Sequence, residues 1–306
     1  MQKKVIFIMS SGHSGSSLLS VILGSHLDCF SAGELQGLPI GYRNQTPIDC
    51  VNMTSDFWEN TFGQEGLQQL ANVLGNTRLN KYVPLKIEKK IREFFKRDQI
   101  FNPYSFMFTK LNNKSIIIDS SKAYAWIKKR IMAEEFISGI VEAYLIYLVR
   151  DGRAVVNSFL RKYSHWDMSK VVREWVEKTK LRNDFFLQFN PEKKIEIAYE
   201  QLASNPHETV EKICNFVGID FVPSMIEYWK YDHHDVSGNS GTYSLIRRYK
   251  EQEIENEARQ KIHGDYYKNM DLTIKLDLRW QKELSPEKLE IFERIAGEFN
   301  KPFEWN

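Results

Sequence analysis

Cysteine is scarce: Cys29, Cys50 and Cys214 are the only three in 306 residues. They are too few and too scattered for a metal motif or a disulfide framework, which suits a reducing cytoplasm, the expected location. A Cys29–Cys50 bridge stays open on this count but is not favoured. Long apolar runs are also missing. The longest, 136–149, is interrupted by Glu142, whereas a membrane-spanning helix needs about 20 apolar residues. There is no excess of one charge either. With 42 basic against 40 acidic residues the formal charge is +2, so no basic field draws in nucleic acid, and an anionic ligand must be caught by a local site. The amino-terminal MQKKVIFIMSSGHSGSS superficially resembles a signal peptide. Its apolar run is too short and leads into a glycine-serine loop without a small-residue cleavage site, so a first β-strand fits better. Internal repeats and low-complexity tracts are absent.

What is present reads as an ordinary globular chain, 42% hydrophobic and 27% charged. Its length suits one large α/β domain or two small ones. Runs rich in β-branched or aromatic residues predict strands at Val5–Met9, Ser115–Asp119, Ala143–Val149 and Lys194–Ala198. Helical patterns follow at Ser17–His26, Tyr124–Phe136, Ala154–Tyr163 and Lys170–Gln188. Alternation of this kind predicts a three-layer α/β fold, a mostly parallel sheet with helices on both faces, and ligands at the carboxyl ends of its strands. Residues 44–110 interrupt the alternation with a polar, helix-leaning stretch carrying Trp58, Tyr104, Phe94, Phe95 and a basic run at Lys86–Arg97. It reads as an insertion into a single domain spanning 1–306, placed over the ligand edge. Its aromatics suit stacking a sugar, sheltering a phenol or packing alike. Beyond Tyr231 lie the cluster HHDVSGNSGTY, a charged helical run and a last helix capped by Ser285 with Pro286 at its first position.

Two segments carry chemistry. The first is Ser10-Ser11-Gly12-His13-Ser14-Gly15-Ser16-Ser17, between a strand and a helix. There, backbone N–H groups and a helix N-terminus can wrap an anion. It lacks the Gly-Lys-Ser/Thr ending of a Walker A loop, which disfavours a nucleoside triphosphatase. A plain Gly/Ser turn joining strand to helix would read the same. The second is Tyr147-Leu-Val-Arg150-Asp151-Gly152-Arg153-Ala-Val-Val-Asn157-Ser158. Ser158 lies two helical turns beyond the strand-end arginine, so both could meet one phosphate. The competing reading pairs Asp151 with Arg153 or Arg150 and leaves the serine in solvent.

In this order and spacing the two segments resemble the family of sulfotransferases that use 3′-phosphoadenosine-5′-phosphosulfate (PAPS). The likeness covers most of the chain apart from 44–110. VRDGRAVVNS, Ala198-Tyr199-Glu200-Gln201-Leu202 with Asn205-Pro206, and Ile213-Cys-Asn-Phe-Val-Gly218-Ile look like its tyrosylprotein and carbohydrate branch. The resemblance implies a P-loop nucleotide-kinase-like fold, PAPS as donor, its desulfated product 3′-phosphoadenosine 5′-phosphate (PAP), no metal, and a hydroxyl-bearing acceptor. It implies that Ser14, Gly15, Ser16 and Ser17 hold the 5′-phosphate and Arg150 and Ser158 the 3′-phosphate. Tyr199 would lie near the nucleotide, although core packing explains such a tyrosine equally well. Gly238 and Asn239 resemble the loop that closes over the nucleotide, and Lys275 is a further contact on weaker grounds.

For catalysis the resemblance implies Glu34 as base and Lys122 beside the transferring group, where a positive charge favours the transition state. An exposed loop carboxylate and a surface lysine are the plainer alternatives. His13 departs from the branch, which carries arginine there. Either His13 supplies a donor when protonated or Lys122 acts alone. The paired His233 and His234 have no third ligand at regular spacing, and read as hydrogen-bonding residues. The acceptor is expected to be a small molecule, glycan or lipid-linked hydroxyl. The alternatives are a nucleotide or small-molecule kinase, which should need magnesium, and a non-catalytic nucleotide-binding protein.

Overall fold

The computed structural model describes residues 2–75, 101–250 and 271–305. Five strands form one parallel sheet in the order β2-β3-β1-β4-β5: β1 Lys3–Ser10, β2 Cys29–Gly33, β3 Ile116–Lys122, β4 Val141–Val149 and β5 Lys194–Ala198. Strand pleating sends alternate residues of β1 to opposite faces. Val5, Phe7 and Met9 join one buried cluster, and Ile6 and Ile8 another. The helices Ser16–Gly24, Pro206–Val217 and Ser240–Tyr249 cover the Ile6 face. Asp56–Gly75, Pro103–Lys110 and Tyr124–Ile131 cover the other. A third cluster, around Val155, Trp175 and Phe292, joins Gly152–Lys162, Met168–Gln188 and Pro286–Asn300. This is the three-layer α/β arrangement that the alternation predicts.

All four predicted strands are present. β2 is an unpredicted fifth, and it turns the segment before Glu34 from loop into sheet edge. Tyr124–Phe136 is not one helix: it ends at Ile131 and resumes at Glu134–Ile137, with Ala133 extended between them. The break turns Glu135 inward, where its carboxylate accepts from the amide and hydroxyl of Ser105 at 2.7 and 2.9 Å. It thereby satisfies the first turn of Pro103–Lys110. Ser285 caps the last helix as predicted, accepting from the Lys288 amide at 3.4 Å with Pro286 at the first position. All three cysteines are free. No helix among the described residues is long and apolar enough to cross a membrane. The basic run Lys86–Arg97, Phe94, Phe95 and most of the charged run after Tyr249 lie outside the described residues.

Candidate active site

The carboxyl ends of β1, β3 and β4 open into one cleft of about 500 Å³. Ligand sites belong at this edge of a parallel sheet, because helix N-termini and loop amides converge there. His13 and Gly15, in the loop after β1, both take left-handed backbone, φ 66° and 84°. At Gly15 a side chain is excluded twice, by that φ and because a methyl group there would lie 2.5 Å from the Tyr199 ring. Gly15 therefore presents bare backbone toward the cleft. Ser14 Oγ is buried and has no hydrogen-bond partner among the described residues. Ser16 and Ser17 open the following helix, and Ser17 Oγ accepts from the Asn239 amide at 2.9 Å.

Arg150, at the end of β4, is buried and braced. Its Nη1 donates to the His13 carbonyl at 2.6 Å and its Nη2 to the Asp277 carbonyl at 2.8 Å, while the guanidinium lies 4.2 Å over the Tyr199 ring. Its Nε is buried without a hydrogen-bond partner among the described residues. Ser158 lines the same cleft as Arg150. Asp151 pairs with Arg153, Nη2 to Oδ2 at 2.6 Å, without involving Arg150. The Tyr199 ring packs between Gly15 and Arg150, its hydroxyl donates to the Lys275 carbonyl at 3.3 Å, and it borders the cleft.

Glu34 and Lys122 meet as an ion pair lining the cleft, both half-buried. Neither is the fully exposed charge of the plainer alternative. His13 also lines the cleft, its ring edge-on to Phe159 with centroids 4.9 Å apart. Ser237, Gly238 and Asn239 form one wall, but the Asn239 side chain is engaged as an N-cap, accepting from Gly241 and Thr242 amides at 2.8 and 3.2 Å. Lys275 lines the cleft and pairs with Asp271 at 3.2 Å.

Sequence reasoning missed Asp277, Arg279 and Lys162, which also line the cleft. Arg279 grips Asp277 through two contacts of 2.8 Å. Burial would raise the Asp277 carboxyl, but hydrogen bonding from Arg279 and the charges of Arg150 and Arg279 hold it well below the usual carboxylate range. The signal was an Asp-x-Arg dipole in a polar segment, which is indistinguishable by sequence from a solvated pair.

The paired histidines are occupied within the protein. His233 Nε2 meets the Tyr228 carbonyl at 2.8 Å, and burial lowers its pKa to about 4. His234 Nδ1 faces Asp49 at 2.8 Å, and its ring stacks on Phe57. Among the described residues no group of three or more His, Cys, Asp or Glu side chains is placed to hold a metal ion. Two aromatics of 44–110 are core: Trp58 donates to the His234 carbonyl at 2.8 Å, and the Tyr104 hydroxyl to Asp119 at 2.7 Å. None of the described residues in 44–110 lines the cleft.

A bare glycine loop, a buried hydroxyl and a buried guanidinium Nε lacking partners, and a cationic wall suit an anionic, phosphate-bearing ligand. A cleft of this kind beside a carboxylate–lysine pair, at the carboxyl edge of a parallel sheet, suits a group-transfer enzyme. The sequence pattern of the Sulfotransferase family matches residues 5–223, and the chain belongs to that family. Two solved structures are similar along nearly their full length. The sulfotransferase domain from the curacin biosynthetic pathway is 21% identical, with TM-score 0.51, covering 99% of each chain. The sulfotransferase domain from the Synechococcus PCC 7002 olefin synthase is 20% identical, with TM-score 0.50, covering 96% of this chain and 94% of that one. At these identities the likeness is one of fold. No curated protein matches the sequence.

Proposed function

We propose that the protein transfers a sulfuryl group from PAPS to an acceptor hydroxyl, with Glu34 as the base and Lys122 as the cation beside the transferring group. The observation that carries this reading is the Glu34–Lys122 pair facing the cleft that the β1 loop and Arg150 also line. Bound PAPS would supply the sulfuryl group and a phosphate leaving group. The loop amides and hydroxyls of Ser14 to Ser17 hold the 5′-phosphate, Arg150 and Ser158 the 3′-phosphate, and Gly238 and Asn239 wall the nucleotide. Glu34 takes the acceptor proton. Lys122 stabilises charge that grows on the bridging oxygen, so its contribution is larger in the transition state than in the ground state.

His13 presents its carbonyl to Arg150, which makes it a backbone brace for the donor loop whatever its ring does. The family match is to the Sulfotransferase family as a whole and does not single out its tyrosylprotein and carbohydrate branch, so that finer likeness is not carried to the acceptor. For the acceptor we assign a small-molecule, glycan or lipid-linked hydroxyl, entering beside Phe159 and Tyr163, which line the cleft. A cytoplasmic setting fits the three free thiols.

Calorimetric titration with PAP beside ATP and magnesium tests the donor assignment. Micromolar or tighter binding of PAP with little response to ATP is expected. A preference for magnesium–ATP would return the kinase reading, and PAP binding without turnover of PAPS across an acceptor panel the non-catalytic one.

A further inference from the structure

We propose that Asp119 is a positioning residue for the reaction, its buried carboxylate holding the turn that presents Lys122 to Glu34. The inference rests on the reading of Glu34 and Lys122 given above. Lys122 has φ 65°, a left-handed conformation that residues with a Cβ seldom adopt. The Ala123 amide donates to the Ser121 carbonyl at 2.7 Å, which closes a three-residue turn about Lys122. Pairing of β3 is irregular here on both sides, with register shifts opposite Phe7/Met9 and Ser31/Gly33. A strained turn of this kind persists only where its surroundings over-determine it.

Asp119 supplies that constraint. Its Oδ1 accepts from the amide of Ser121 at 2.9 Å and from the Ser121 hydroxyl. Its Oδ2 accepts from the Tyr104 hydroxyl at 2.7 Å and from Trp126 Nε1 at 2.8 Å. The side chains come from two helices and from the turn itself, and the carboxylate is 1% exposed. Burial pushes the carboxyl up, against the pull of these donors. Ser121 then acts twice. Its carbonyl closes the Lys122 turn, and its hydroxyl accepts from the Gln36 amide at 3.2 Å, two residues past Glu34. One buried carboxylate thus fixes, through Ser121, both the turn that carries Lys122 and the loop that carries Glu34. Through Tyr104 it also ties this pair to the helix that ends the 44–110 segment.

The test uses the full chain with lysine labelled with ¹³C at Cε, the Lys122 resonance being identified by its loss in Lys122→Arg. In the wild-type background Glu34→Gln should shift that resonance; in an Asp119→Asn background the same change should leave it in place, because the two side chains no longer meet. An equal response in both backgrounds would overturn the proposal. Turnover of PAPS, with water or a screened hydroxyl as acceptor, should fall about 10²-fold in Asp119→Asn, as expected for a misplacement near 1 Å. PAP affinity should change by no more than about twofold. In the Lys122→Ala background Asp119→Asn should add little, whereas a merely structural role would give multiplying losses. Tyr104→Phe, which removes one donor and leaves the charge, serves if Asp119→Asn does not fold, and should weaken the Lys122 response to Glu34→Gln in the same direction. Unchanged turnover in Lys122→Ala and Glu34→Gln would instead strike the catalytic reading, and is distinguishable because the resonance experiment reads the pairing itself.

Discussion

The carboxylate of Asp277 lies 3.6 Å from Arg150 Nη2, inside the cleft assigned to the donor. An internal anion thus already sits against the cation assigned to the 3′-phosphate, and Arg279 holds it in its charged form. Two like charges about 5 Å apart at an effective dielectric of about 20 repel by about 3 kcal/mol, and the Arg279 pair offsets part of this. Asp277→Asn keeps the backbone carbonyl that Arg150 grips and removes only the charge. It is expected to tighten PAP binding about tenfold while leaving 5′-AMP, which lacks the 3′-phosphate, nearly unaffected. Titration of both nucleotides checks this; an equal change for the two would separate Asp277 from the 3′-phosphate site.

Arg150→Ala removes the brace under the His13 carbonyl and, on the proposed assignment, a charged hydrogen bond to the 3′-phosphate. PAP binding should weaken by about 1.5–3 kcal/mol. Unchanged affinity in the same titration would reject the 3′-phosphate role.

Glu34→Gln should lower turnover of PAPS about 10²–10⁴-fold if Glu34 takes the acceptor proton. PAP affinity should stay nearly intact, because the proposed assignment gives Glu34 a role toward the acceptor and none toward the phosphates. Full activity in a steady-state assay would remove Glu34 from the mechanism.

Much of this arrangement is legible in the sequence, and the reason is physical. The strand that carries Val5–Met9 is buried on both faces, so it reads as an unbroken apolar run, and the loop after it carries glycine at Gly15, where φ is positive and the Tyr199 ring leaves no room for a side chain. Arg150 and Ser158 line one cleft because the strand end and the helix that follows it both border the carboxyl edge of the sheet. What escaped was set by contacts far apart in sequence. β2 is a short strand of small residues, CFSAG, at the sheet edge, and only its pairing with β3 makes it a strand. Asp277 and Arg279 reach the cleft through a tertiary path from beyond residue 270, where local pattern carries no information. The aromatic residues Trp58 and Tyr104 left stacking and packing equally open until the His234 carbonyl and Asp119 were found as their partners.

The last expectation concerns pH. Burial, with the nearby charges of Asp49 and Glu34, pushes the carboxyl of Asp235 up to about 7 against the hydrogen bond from Tyr243. In the unfolded chain it titrates near 3.8. Between these values the folded state keeps a proton that the unfolded state has lost, so Asp235 stabilises most at low pH and its contribution falls as pH rises toward 7. His233 slopes the other way. Burial lowers it from 6.5 to about 4, so its contribution is full above 6.5 and is lost as pH falls through that window. The two oppose each other between about 4 and 6.5, and above 6.5 only Asp235 still acts. Asp235→Asn removes one slope without changing the side chain's size. Measured by urea unfolding, the stability of this variant relative to wild type should therefore rise from pH 5 to pH 8. A constant offset across that range would mean that Asp235 stays ionised in the folded protein.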